Sequence, residues 1–107
     1  MSGISALCRV EDVPVGAIRQ EFLPDGTLIA LYNVGGRIYA TADACTHAAA
    51  SLSEDGVLKG QIVECGWHNG SFDVTTGEPC ASPCTVALKT YPVQVVDGVV
   101  NIAFSQE

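Results

Sequence analysis

Two short stretches of the chain each carry one cysteine and one histidine, in the same order. The first is Cys45-Thr46-His47 and the second is Cys65-Gly66-Trp67-His68, with seventeen residues between His47 and Cys65. Thiolate and imidazole are both good ligands for transition metals. Because each stretch holds only two such groups, neither can complete a four-ligand site alone. The pattern C-x-H-x17-C-x2-H therefore predicts a fold that brings two distant loops together.

A structural zinc site is one alternative for these four side chains. Zinc sites with two Cys and two His ligands more often pair Cys with Cys and His with His. A single Cys or His is usually a structural residue. Here, however, both histidines of the chain fall inside the two motifs. The mixed order argues against a typical zinc module, which stays open as an alternative that the colour of the purified protein would test.

Length and charge limit the possible functions. The 107 residues suffice for one domain with one core, and no apolar stretch approaches the length needed to span a membrane. The first residues lack the basic start and apolar run of a signal peptide, so we expect a cytoplasmic protein. Twelve acids against five bases give a formal net charge of −7, which argues against nucleic-acid binding. An acidic surface suits brief docking on basic partners, or plain solubility.

Three of the five cysteines lie outside the motifs. They are Cys8, Cys80 and Cys84. An odd number of cysteines in a chain without an export signal argues against a disulfide framework. We expect Cys8 to be buried and inert, and Cys80 and Cys84 to be small residues packed near the metal centre rather than ligands.

The rest of the sequence predicts an all-β, purely antiparallel protein. The candidate strands are Ser5–Val10, Ala17–Phe22, Thr27–Val34, Arg37–Ala42, Tyr91–Val96 and Val99–Phe104. Turn signals at Asp25-Gly26, Gly35-Gly36 and Asp97-Gly98 predict hairpins between neighbouring strands. No window shows a useful helical period. We expect a β base formed by residues 1–42 and 89–107, with a small inserted subdomain of about residues 43–88 that carries the motifs.

Nearly the whole chain resembles the Rieske-type ferredoxins of bacterial aromatic-ring-hydroxylating dioxygenases. The resemblance rests on 40-ATADACTH-47, 62-IVECGWH-68, 70-GSFD-73, Thr76-Gly77 and 88-LKTYPV-93. It implies a Rieske-type antiparallel β-sandwich with an inserted cluster-binding subdomain. It also implies a [2Fe–2S] cluster in which Cys45 and Cys65 bind one iron, and His47 and His68 bind the other through Nδ1.

The resemblance implies an electron carrier that is not itself an enzyme. A flavin reductase that oxidises NADH or NADPH would supply single electrons, and the terminal Rieske oxygenase would receive them. A diffusing carrier of this kind is expected to be a monomer. A Rieske-like small subunit of a nitrite reductase or another multicomponent reductase is the alternative. A Rieske domain from a terminal oxygenase is excluded, because both histidines are already used and a mononuclear iron site needs two more.

The chain departs from the Rieske subunits of respiratory cytochrome complexes at four positions. Ala50 and Trp67 stand where those subunits carry a pair of cysteines that form a disulfide over the cluster. Gly70 and Phe72 stand where those subunits carry a Ser and a Tyr that donate hydrogen bonds to sulfur. Losing these groups removes stabilisation of the reduced state. We therefore expect a potential near the low end of the Rieske range of about −150 to +300 mV.

Overall fold

The computed structural model describes residues 2–44, 51–65, 70–81 and 86–105. Within these ranges the chain is built mainly from short strands. They are, in chain order, β1 (Ser2–Arg9), β2 (Ile18–Phe22), β3 (Leu28–Val34), β4 (Arg37–Ala42), β5 (Gly56–Lys59), β6 (Ile62–Cys65), β7 (Ser71–Asp73), β8 (Pro79–Ala81), β9 (Thr90–Tyr91), β10 (Val93–Val96) and β11 (Val99–Ser105). A 3₁₀ helix (Val10–Asp12) follows β1, and a one-turn helix α1 (Leu52–Asp55) precedes β5.

The strands form three sheets, and every pair of neighbouring strands is antiparallel. The first sheet has the order β1-β11-β10, the central sheet β2-β3-β4-β9, and the third sheet β5-β6-β7-β8. The predicted all-β, antiparallel fold is therefore confirmed. Hairpin connections are short enough to join such strands directly.

The central sheet is covered on both faces. Residues 29–33 of β3 are all buried, without the alternation of a strand that has one wet face. One face packs on the first sheet through a core of Val13, Leu23, Ile29, Leu31, Ile38, Ala40, Tyr91, Val100 and Ile102. The other packs on the third sheet through a second core of Ala30, Tyr32, Leu52, Val63, Cys65, Phe72, Val74 and Leu88. The third sheet is thus attached to the central sheet by apolar burial.

Two of the predicted hairpins have the expected two-residue turns. Val34 pairs with Arg37 across Gly35-Gly36, and Val96 pairs with Val99 across Asp97-Gly98. Asp97 and Gly98 have φ values of 52° and 77°, the left-handed conformation that this turn requires. The third hairpin is wider than predicted, because Leu23 N–H donates to the carbonyl of Thr27 around Asp25-Gly26. Its strands therefore end at Phe22 and Leu28.

Two features of the fold differ from the expectation. The predicted strand Tyr91–Val96 is broken at Pro92, which has no N–H to donate to a ladder. As a result β9 pairs with β4 in the central sheet, and β10 pairs with β11 in the first sheet. In addition, α1 and β5 were not predicted from the sequence, because each has only four residues and periodicity needs a longer window.

The third sheet is drawn entirely from residues 56–81, and the other two sheets from residues 2–42 and 90–105. The division into a base and an inserted subdomain is retained as a prediction. The boundaries at residues 43 and 88 stay a prediction, since Leu88 belongs to the core shared by the central and third sheets.

Candidate metal centre

The first motif loop is closed at its base. Ala44 and Ser51 form an isolated antiparallel bridge, and one step further out the Leu52 N–H donates to the carbonyl oxygen of Asp43 at 2.8 Å. Ala44 and Ser51, the residues that flank segment 45–50, are therefore adjacent in space. Cys45 and His47 belong to this segment and lie outside the described residues.

The second motif loop is closed in the same manner. Cys65 ends β6, and its N–H donates to the carbonyl oxygen of Gly70 at 2.7 Å. Next to this bond Glu64 pairs with Ser71 in the β6–β7 hairpin. Residues 66–69, among them Trp67 and His68, lie between these points and outside the described residues.

The bases of the two loops meet in one apolar core. Leu52, immediately after the first loop, is fully buried in the same cluster as Cys65 and Phe72. Cys65 also pairs with Gly56, the residue that follows α1. A Cβ on Gly56 would lie 2.5 Å from the carbonyl oxygen of Leu52. The structure thus brings together the two chain segments that the motif spacing separates.

Cys65 is the one predicted ligand that the structure describes, and its side chain is only 1% exposed. Its neighbours in the core are apolar, with Val63 on the same strand and Phe72 on the adjacent one. A thiolate in such surroundings needs a partner for its charge, and a metal supplies one. A buried sulfur at the mouth of a closed loop fits a metal ligand or a cluster ligand.

The other cysteines behave differently from Cys65. Cys8 is half-buried on β1, and burial, followed by the charge of Glu21, raises the pKa of its thiol. The raised pKa favours the protonated, less reactive thiol near neutral pH, and Cys8 is less buried than predicted. Cys80 is exposed, and the expectation that it lies near the metal centre stays a prediction. Cys84 lies outside the described residues.

A buried polar cluster lies beside the first loop and was not predicted from the sequence. Asp43 is 2% exposed, and its carboxylate accepts hydrogen bonds from Gln20, Ser51 and the backbone of Ser53. Ser51 also caps α1, since its hydroxyl accepts from the Glu54 N–H at 3.3 Å. The sequence 51-SLSE-54 has the S-x-x-E pattern of a capping box, which was a usable signal.

Charged side chains near the second loop are exposed and paired. Lys59 and Glu64 form an ion pair of 3.0 Å across β5 and β6. Such a surface pair contributes little to stability. Within the described ranges no three His, Cys, Asp or Glu side chains come together to hold a metal ion. The described part of the chain therefore offers no rival to the motif loops as the metal centre.

The sequence profile of the Rieske [2Fe-2S] domain matches residues 4–92. The chain belongs to the Rieske [2Fe–2S] domain family. The ferredoxin component of the p-cumate 2,3-dioxygenase system of Pseudomonas putida is 47% identical over 98 residues, which cover 92% of this chain and 83% of that protein.

Solved structures agree with this assignment. The Sphingomonas yanoikuyae B1 ferredoxin superimposes with a TM-score of 0.90 at 39% identity, covering 96% of this Rieske chain and all of the other. A chain in the complex of reduced oxygenase and oxidised ferredoxin of carbazole 1,9a-dioxygenase matches with a TM-score of 0.89 at 42% identity, over 97% of this chain and 95% of that one.

The protein is therefore a Rieske-type ferredoxin, an electron-transfer component rather than a catalyst, and its cofactor is a Rieske [2Fe–2S] cluster. The ferredoxin relatives favour the carrier over the alternative of a reductase subunit. A Rieske cluster also excludes the zinc module. No helix in the described part of this Rieske ferredoxin is long and apolar enough to cross a membrane.

Proposed function

We propose that Cys45 and Cys65 bind one iron of the cluster, and that His47 and His68 bind the other. The buried position of Cys65 at the mouth of the second loop carries this proposal. The closed base of the first loop supports it, because Cys45 directly follows the Ala44–Ser51 bridge. When bound, the cluster supplies reversible one-electron chemistry at a potential set by its mixed ligands.

The role of the protein chain is to hold the two loops in a fixed relation. Leu52, Cys65 and Phe72 share one core, so the bases of both loops are anchored by the same packed side chains. Packed interiors deform little, and a rigid site changes little when its charge changes. This anchoring suits a carrier that must gain and lose electrons rapidly.

We infer that electrons arrive from an NAD(P)H-dependent flavin reductase and leave to the terminal oxygenase of an aromatic-ring-hydroxylating dioxygenase system. The support is the naming of the relatives as ferredoxin components and the oxygenase–ferredoxin complex among the similar structures. The formal net charge of −7 suits fast, short-lived docking on basic surfaces. A cytoplasmic monomer that diffuses between the two partners completes the proposal.

The potential is proposed to lie near the low end of the Rieske range. Gly70 has no side chain to donate to sulfur, and Phe72 is fully buried beside Cys65 without a hydroxyl group. Hydrogen bonds to the sulfurs raise the potential, so the lack of side-chain donors at positions 70 and 72 favours a lower potential. A low potential suits acceptance of electrons from a flavin, and argues against oxidation of quinols.

A reconstituted electron-transfer chain tests the function. Purified protein is first checked for the visible and EPR spectra of a Rieske cluster. It is then mixed with NADH, a flavin ferredoxin reductase and a terminal oxygenase from a p-cumate or carbazole system. Product formation by the oxygenase should depend on the added protein. A protein with the expected spectra that a flavin reductase cannot reduce, or that never reduces an oxygenase, would contradict the proposed partners while leaving the cluster assignment intact.

A further inference from the structure

Asp43 is a buried carboxylate whose hydrogen bonds come from three residues in two separate parts of the chain. Its Oδ2 accepts from the Ser51 hydroxyl at 2.5 Å and from Nε2 of Gln20 on β2 at 3.2 Å. Its Oδ1 accepts from the Ser53 N–H at 2.9 Å. We refer to Asp43, Ser51, Ser53 and Gln20 together as the clasp.

Burial of the Asp43 carboxylate costs free energy of hydration, so a gain in stability does not by itself explain the clasp. A carboxylate removed from water loses hydration that its new partners must replace. Among the residues that the structure describes, no Lys or Arg forms an ion pair with Asp43. Three hydrogen-bond donors satisfy it instead. Well-packed apolar residues in the same space would stabilise the fold at least as well. What the clasp adds is a fixed geometry, because its hydrogen bonds are directional.

The clasp joins both ends of the first motif loop to the central sheet. Asp43 precedes the loop, and Ser51 and Ser53 follow it. Gln20 lies more than twenty residues away in sequence, and its Nε2 also donates to the Ser53 hydroxyl at 3.1 Å. The backbone of Asp43 is held as well, since its N–H donates to the carbonyl of Leu28 at 3.2 Å. A change in any of these contacts would let the base of the loop move.

We propose that Asp43 is a positioning residue which, through the clasp, keeps Cys45 and His47 in place on the cluster. The inference rests on the proposed ligand set. Groups that support metal ligands from behind commonly control how tightly the metal is held. Loosening the clasp should therefore speed loss of the cluster and alter the iron environment, with the three sheets still folded.

Cluster release from the holoprotein tests this role. Each purified variant is incubated with an iron chelator at a fixed temperature, and the decay of the visible absorption gives the rate. Asp43→Ala should release its cluster about tenfold faster than the unmodified protein. Gln20→Ala removes one donor and should have a smaller effect in the same direction. Asp43→Asn keeps an oxygen that can accept from the Ser53 N–H. Its rate of cluster release should lie between those of the unmodified protein and Asp43→Ala. EPR of reduced Asp43→Ala should show shifted g values.

Two control variants separate positioning from simpler effects. Asp55→Ala removes an exposed acid of α1 whose carboxylate accepts from the Ser51 N–H at 3.3 Å and from no side chain of the clasp, and it should release the cluster at the unmodified rate. Ile102→Ala creates a cavity in the core between the first and central sheets. It should lower the melting temperature without speeding cluster release at 25 °C and without moving the g values.

Several outcomes would overturn the clasp. One is release at the unmodified rate in both Asp43→Ala and Gln20→Ala. Another is equally fast release from Asp55→Ala, which would make nearby charge the cause. Fast release from Ile102→Ala with the same g shift would make general stability the cause. If Asp43→Ala yields no holoprotein, Asp43→Asn and Gln20→Ala decide. An error in the proposed ligand set would be visible separately, as a Cys45→Ser variant that keeps its cluster.

Discussion

The N–H of Cys65 donates a 2.7 Å hydrogen bond to the carbonyl oxygen of Gly70, on the other side of the second motif loop. The bond closes a four-residue segment directly on the sulfur-bearing residue. The hydrogen bond therefore couples the position of Cys65, a proposed ligand, to that of Gly70, which has no side chain. Changes at either residue should be visible in the cluster.

Replacing Cys65 with serine should abolish the cluster. An alcohol is a far poorer ligand for iron than a soft thiolate, and binding of the metal contributes to folding. We expect Cys65→Ser to lose visible absorption and iron and to melt at a lower temperature. Cys80→Ser, at an exposed thiol, and Cys8→Ser should keep full iron content. A normal visible spectrum in Cys65→Ser would remove Cys65 from the ligand set.

Adding hydroxyl groups near Cys65 should raise the reduction potential. Gly70→Ser places a donor at the end of the second loop, and Phe72→Tyr places one in the core beside Cys65. A bond that favours the reduced state by about 1.4 kcal/mol raises a one-electron potential by about 60 mV. Voltammetry should show a rise of this order for Gly70→Ser and a weaker or additive rise for Phe72→Tyr. An unchanged potential in the double variant, with its cluster intact, would contradict the hydrogen-bond explanation.

Gly56→Ala should disturb the contact between the two loops. The new methyl group would lie 2.5 Å from the Leu52 carbonyl oxygen and 3.1 Å from a methyl of Val63. Such overpacking costs about 1–3 kcal/mol. Because Gly56 pairs with Cys65, the variant should also release its cluster faster.

Gly60→Ala is the matched control for Gly56→Ala. Gly60 lies at the far end of the same hairpin, and its φ of +63° makes alanine strained by about 1–2 kcal/mol, although nothing lies within 4 Å. It should lower the melting temperature without changing the rate of cluster release. Equal release rates for the two variants would show that the contact at Gly56 does not control the cluster.

Stability should fall at high pH, and Tyr32 should account for part of the loss. Burial raises the pKa of Tyr32 well above its ordinary value of 10.0, and the hydrogen bond with Thr41, 2.8 Å long, only partly offsets this. The folded protein therefore keeps a proton that the unfolded chain loses. The contribution of Tyr32 to the free energy of unfolding is complete below pH 10. It declines as the pH rises above 10, by up to about 1.4 kcal/mol per pH unit.

Tyr32→Phe checks the origin of this alkaline decline. It should cost about 1 kcal/mol at neutral pH through loss of a buried hydrogen bond. Between pH 10 and 12 its free energy of unfolding should fall less steeply than that of the unmodified protein. Denaturant unfolding at several pH values measures both effects, and parallel curves would show that Tyr32 does not contribute.

Electron transfer to the oxygenase should depend on an apolar rim around the proposed histidine ligands, which we expect Trp67 and residues 79–83 to form. Ser71, just after the second motif loop, pairs with Ala81, the last described residue of β8. We expect Trp67→Glu and Pro83→Glu to slow transfer while preserving the spectrum and the potential, because a desolvated carboxylate disfavours docking. Stopped-flow reduction of the oxygenase measures the rate.

Substitutions far from the rim provide the comparison. Val95→Glu changes an exposed apolar residue on β10, in the first sheet, and should transfer at the unmodified rate. Neutralising Asp25 or Asp97, each in a hairpin turn, should also have little effect. If both rim variants transferred electrons normally at every ionic strength, the docking face would lie elsewhere.

The sequence by itself determined two of the three hairpin turns and the donor types of the motifs. Gly35-Gly36 and Asp97-Gly98 could be assigned because tight turns impose local backbone requirements that few residues meet. The donor types in Cys45, His47, Cys65 and His68 could be interpreted because thiolate and imidazole favour transition metals and iron–sulfur clusters over hard cations. Four-residue elements such as α1 and β5 fell below the length at which periodicity is informative.

Only the tertiary structure decided how these pieces meet. Pro92 interrupts the strand, so that β9 pairs with β4 and β10 pairs with β11 in a different sheet. These pairings depend on which strand is adjacent in the folded chain. Burial of Asp43 against Gln20 could not be predicted, because it joins residues 23 apart in sequence and depends on how α1 packs on β2. Local propensity acts over a few residues, whereas the position of Cys65 beside Leu52 follows from apolar burial between segments that only the folded chain brings together.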